Sequence, residues 1–62
     1  MKKLINKKVM IDQFLTSDPY NKRGQTGIVT AIKIFDEENA DVTIMFEDGV
    51  IGLYQQGTFK IL

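Results

Sequence analysis

Apolar and polar positions alternate with a period of two over most of this chain, the signature of a half-buried β-strand, and no stretch holds a helical period long enough for a helix. From Asp41 to Glu47, Val42, Ile44 and Phe46 alternate with Thr43, Met45 and Glu47, the clearest strand in the sequence. Asp48-Gly49 follows as a two-residue hairpin signal, because a type I′ turn needs φ > 0 at both central positions and Asp with Gly tolerates that. Val50 to Gln55 then reads as the returning strand, with Ile51 and Leu53 on one parity, Val50 and Tyr54 on the other, and Gly52 marking a bend or a close approach. Upstream, Val9 and Ile11 alternate with Met10 and Asp12 in a short first strand. Downstream, Gln56-Gly57-Thr58 suits a 3₁₀-like turn and Phe59 to Leu62 a last strand.

Two segments depart from this alternation. Gln13 to Thr26 loses it: Ser17-Asp18-Pro19-Tyr20-Asn21 is a turn cluster and Lys22 to Gly27 is polar, which predicts a long, mobile first loop. Ile28 to Phe35 is apolar on both parities, with Ile28, Ile32 and Ile34 on one and Val29, Ala31 and Phe35 on the other. Either the strand bends at a bulge so that its ends feed one core from different faces, or one face packs on another subunit. In the second case Val29, Ala31 and Phe35 are the self-association set. The elements together predict an all-β fold, a five-stranded antiparallel small barrel closed on itself, as one domain over residues 1–62 with residues 1–6 as a flexible basic arm. Its expected core is Val9, Ile11, Ile28, Ile32, Val42, Ile44, Phe46, Ile51, Leu53, Phe59 and Ile61.

Length sharpens the picture. A chain of 62 residues buries only about 60% of the surface its unfolded form exposes, so its core is small and a partner subunit would help. It contains no Cys and no His, which excludes disulfides, the usual zinc sites, a thiol nucleophile and an imidazole base. Leu4 and Ile5 are followed at once by Asn6 and Lys7, too short an apolar run for a secretory signal, and no run suits a membrane span; a cytoplasmic location is expected. The zero net charge hides an asymmetry. Residues 1–33 hold seven basic and two acidic side chains (+5), and residues 34–62 hold one basic and six acidic (−5). The two halves either interleave and neutralise one another or present a bipolar surface to a partner.

Gly27-Ile28-Val29-Thr30-Ala31-Ile32, the acidic turn after it, and Asp41-Val42-Thr43-Ile44-Met45-Phe46-Glu47-Asp48-Gly49 running on to Tyr54 resemble SH3-like small barrels of the Tudor and KOW kind. The resemblance covers about half the chain, Gly27 to Phe59. It implies a fold whose members are mostly non-catalytic modules that bind modified peptides, nucleic acid or other proteins. A Tudor-like role would need an aromatic cage, for which Phe14, Tyr20, Phe35, Tyr54 and Phe59 are the candidates. A KOW-like role would use basic loops with interleaved aromatics, offered by Tyr20, Lys22 and Arg23 with Lys2, Lys3, Lys7 and Lys8. Type II dihydrofolate reductases share the architecture as tetramers, with a Val-Gln-Ile-Tyr segment on the strand after the hairpin. Here Ile51-Gly52-Leu53-Tyr54 lacks the glutamine.

No catalytic constellation emerges. Asp36 to Glu47 has acids at both ends, as in a calcium loop, but Asp41 stands where the sharp turn requires Gly. Asp41, Glu47 and Asp48 have no base or nucleophile beside them in the pattern. No metal, cofactor or catalytic residue is expected. The sequence favours a small protein-interaction module, homo-oligomeric or acting as an adaptor or inhibitor of the phage or mobile-element accessory type. Its expected partner-binding residues are Tyr20, Lys22, Arg23, Lys7 and Lys8. The alternative is a nucleic-acid or ribosome-binding KOW-like barrel using the same cations.

Overall fold

A strand keeps a strict apolar alternation when one of its faces meets a core, and the central strand shows this directly. In the computed structural model, which describes residues 2–37 and 39–62 and the backbone alone of Lys2, β3 (Ala40–Phe46) buries Ala40, Val42, Ile44 and Phe46 and turns the intervening residues outward. The other strands are β1 (Lys8–Ile11), β2 (Thr26–Ile34), β4 (Ile51–Gln55) and β5 (Phe59–Ile61), preceded by a 3₁₀ turn at Lys2–Leu4. All neighbours are antiparallel in the order β4-β3-β2-β1-β5. The fold is therefore all-β, but the expected closure into a barrel is not observed. The three residues of β5 are all committed to β1, and β4 and β5 stand as the two edges of an open sheet.

The two-sided apolar strand is resolved by a bulge. Gly27 and Val29 face inward, the register with β3 shifts between Val29 and Ala31, and beyond the shift Ile32 and Ile34 stand opposite Val42 and Ala40. One extra residue inverts the parity, so Val29 before the shift and Ile32 beyond it, of opposite parity in the sequence, serve the same side of the sheet. This corrects the expected self-association set: Val29 is fully buried in the core, while Ala31 and Phe35 are exposed.

The hairpin between β3 and β4 differs by one residue from the expected two-residue turn. Gly49 N–H donates to the Phe46 carbonyl (3.0 Å) and Phe46 N–H to the Val50 carbonyl (2.9 Å), which closes a three-residue loop of Glu47, Asp48 and Gly49. Only Gly49 in that loop has positive φ, at 85°, as in a type I turn followed by a left-handed residue. The added residue reverses every side chain of β4. Met45 pairs with Ile51, Ile44 with Gly52 and Val42 with Tyr54, so Gly52 and Tyr54 face the core and Ile51 and Leu53 face solvent.

The resulting core is Val9, Ile11, Val29, Val42, Ile44, Phe46 and Tyr54, with Leu4, Leu15, Tyr20, Ile32 and Phe59 packed against it. Ile28, Ile51, Leu53 and Ile61, expected inside, are exposed. Ile28 lies before the bulge on the outer parity, the three-residue loop turns out Ile51 and Leu53, and Ile61 ends the edge strand. Of residues 1–6, expected as a flexible basic arm, Met1 lies outside the described residues, Leu4 packs on the core and Asn6 N–H donates to the Val29 carbonyl (2.8 Å). The two charge halves interleave, since Lys33 stands opposite Asp41 and Lys22 pairs with Asp48.

Candidate functional site

The long first loop is organised around one carboxylate. Ile11 closes its base by donating to the Gln25 carbonyl (2.9 Å) and accepting from Gly24 N–H (2.8 Å). Asp18 then accepts from Tyr20 N–H (3.0 Å), Lys22 N–H (2.7 Å) and, across the fold from β4, the Tyr54 hydroxyl (2.9 Å). Asp and Asn satisfy nearby backbone donors in this way in turns, and Asn21 takes the left-handed conformation (φ 55°) that lets the chain double back. Burial alone would raise the Asp18 pKa, yet these hydrogen bonds and the nearby Arg23 charge outweigh it and hold the carboxyl below its ordinary range. The complement appears at Tyr54, whose hydroxyl is pushed well above its ordinary value by burial and by the hydrogen bond to Asp18.

Around this hub the aromatic rings converge. Tyr20 and Tyr54 lie 5.6 Å apart between ring centroids, and Phe46 meets Tyr54 edge-on at 6.0 Å. Gly52 makes room for them: a Cβ there would stand 2.7 Å from the Tyr54 ring and 3.1 Å from the Tyr20 ring. The cation beside the cluster is the chain's own. Lys22 is buried, its ammonium sits 5.5 Å from the Phe46 centroid, and it pairs with Asp48, whose carboxyl is held low chiefly by that hydrogen bond. Loop and hairpin are thus tied together by Lys22.

The expected partner-binding residues therefore do not form one surface. Tyr20 is half-buried against Tyr54, and Lys22 is consumed by Asp48 and Phe46, which corrects its expected outward role. Arg23 is exposed but donates to the Leu15 and Thr16 carbonyls. Lys7 and Lys8 are exposed elsewhere, Lys8 beside Ile28 on the outer side of the sheet. Among the cage candidates Tyr20 and Tyr54 form a ring pair and Phe59 packs at the margin of the core, while Phe14 and Phe35 are exposed and Phe35 lies under its own neighbour Lys33.

What the pattern reading missed is the opposite face. Lys8, Ile28, Met45 and Ile51 are successive cross-strand neighbours on β1, β2, β3 and β4, with Thr43 and Leu53 in the adjoining row. Ile28, Met45, Ile51 and Leu53 remain 37%, 45%, 57% and 54% exposed, one apolar surface spanning three strands. The signal that could have located it is the Glu-Asp-Gly spacing, which admits a three-residue loop as well as a two-residue one.

Among the described residues no cluster of three or more acidic side chains could hold a metal ion, and no helix is long and apolar enough to cross a membrane. No protein-family model, curated protein or solved structure matches this chain.

Proposed function

We propose that this chain is a small non-catalytic protein-interaction module that works as a homo-oligomer, with the strand connectivity of an SH3-like barrel left open at one edge. The strand order β4-β3-β2-β1-β5 and the long loop between β1 and β2 support the fold-level part of this reading. The observation that carries the function is the apolar face of Ile28, Met45, Ile51 and Leu53, contiguous across three strands and roughly half exposed at each residue. Contiguous apolar patches on small soluble domains mark interaction sites, and burying what these side chains still expose would contribute about 1 kcal/mol each. Zero net charge removes the repulsion that would hold copies apart.

The nucleic-acid alternative has less support, because Lys22 and Arg23, two of its expected cations, are engaged within the molecule, Lys22 by Asp48 and Arg23 by the Leu15 carbonyl. Light scattering over a range of concentrations tests the proposal: self-association should give a mass above 7.1 kDa, and a single-chain mass at high micromolar concentration would refute it. Binding of mixed nucleic acid that weakens steeply with salt would favour the alternative.

A further inference from the structure

Among the described residues, backbone groups along the exposed edge of β4 have nothing to bond. Phe46 N–H donates to the Val50 carbonyl, so these two form a hydrogen-bonded pair, and the antiparallel alternation makes Ile44 with Gly52 and Val42 with Tyr54 such pairs as well. The amides and carbonyls of Ile51 and Leu53 therefore point away from β3 toward the edge, where among the described residues no hydrogen bond reaches them. Proteins ordinarily blunt such an edge with a lysine, a proline, a bulge or a very short strand. The opposite edge follows that rule, since β5 has three residues and a central Lys60. In contrast, β4 has five residues, and Val50 to Gln56 contains no charge and no proline. The first loop does not seal it either: an open groove of about 260 Å³ is lined by Leu15 and Pro19 on one side and Leu53 and Gln55 on the other.

We propose that the β4 edge pairs antiparallel with β4 of a second copy of this chain, joining two five-stranded sheets into one across a two-fold axis. This rests on the self-association reading above and names its site. A two-fold contact must be self-complementary, and a strand without charge lies against itself with no like charges opposed. Centring the pair on Gly52 sets Ile51 opposite Leu53 of the second copy, and the same pair recurs by symmetry. Each Ile51 then exchanges N–H and C=O bonds with a Leu53, satisfying the groups left open at the edge. The four apolar side chains gather on the outer face beside Met45, extending the apolar surface across the axis.

Light scattering and amide exchange on the wild type, Leu53→Lys, Ile51→Lys and Met45→Lys test this. The wild type should have twice the single-chain mass of 7.1 kDa. Leu53→Lys and Ile51→Lys should fall to the single-chain mass while keeping the circular dichroism of a sheet, and Met45→Lys, on the same face but away from the edge, should remain a dimer. In the wild type the Ile51 and Leu53 amides should exchange at least tenfold more slowly in concentrated than in dilute samples. A dimer that survives Leu53→Lys and dissociates with Met45→Lys would overturn edge pairing in favour of stacked faces, leaving self-association intact. A monomeric wild type overturns both. Should a lysine variant unfold, wild-type exchange at Ile51 and Leu53 that does not depend on concentration overturns the edge proposal.

Discussion

Replacing Asp18 with Ala removes, in one change, the acceptor of three hydrogen bonds, two that organise the first loop and one that ties it to β4. A hydrogen bond to a charged group contributes about 1.5–3 kcal/mol net when well shielded. The Asp18 carboxylate is partly open to water, which recovers much of that, so the three together should contribute about 2–3 kcal/mol. A chain of this length has a total stability of about 3–9 kcal/mol and unfolds with an entropy of about 130 cal/mol/K, so the loss corresponds to a melting temperature lower by about 15–23 °C. Thermal melts followed by circular dichroism, with every variant at the same chain concentration, give the value. Tyr54→Phe removes one of the three bonds and should cost about 1 kcal/mol in the wild type, yet almost nothing in Asp18→Ala, because the partner is already gone. An Asp18→Ala protein melting within a few degrees of wild type, or a Tyr54→Phe penalty that persists in it, would refute the carboxylate as the loop's organising group.

The reversed face of β4 is tested by truncating both sides of the hairpin at a dilution where the chain is a single copy: Phe46→Ala should cost about 3–5 kcal/mol and Ile51→Ala less than about 1, and equal costs would restore the two-residue turn. Gly52→Ala should destabilise by about 1–3 kcal/mol through collision with the Tyr54 and Tyr20 rings, and an unchanged melt would show that the rings are not packed there. For pH, Asp18 and Asp48 have folded pKa values below the ordinary 3.8, so their stabilisation is complete above that value and is lost as pH falls through the depressed folded values. Tyr54 has a folded value raised above 10.0, so its contribution is complete below pH 10 and declines as pH rises beyond it; denaturant melts should show both limbs in the wild type and a weaker alkaline limb in Tyr54→Phe.

The strands were legible because each segment's own alternation specifies them, and β3 is placed within one residue of its expected ends. The bulge in β2 was legible as one of two options, since a strand apolar on both parities must either break register or bury two faces. The orientation of β4 was not legible. It depends on whether Glu47 belongs to the strand or to the loop, a choice between two good turns that is decided by fitting Tyr54, Phe46 and Tyr20 into the core. The role of Lys22 was equally hidden, because nothing local to Tyr20-Asn21-Lys22 indicates that Asp48, 26 residues later, neutralises it and allows its burial. The first loop's hydrogen bonding around Asp18 was hidden as well, because one of the donors it accepts from, the Tyr54 hydroxyl, lies 36 residues away.

The central proposal is that this chain meets a second copy of itself through the apolar outer surface and open edge of β4. Static light scattering of the wild type beside Leu53→Lys, at matched high micromolar concentration, tests it most directly. Edge pairing requires a wild-type mass of twice 7.1 kDa and a folded Leu53→Lys protein at 7.1 kDa. A wild type at 7.1 kDa under those conditions would contradict it.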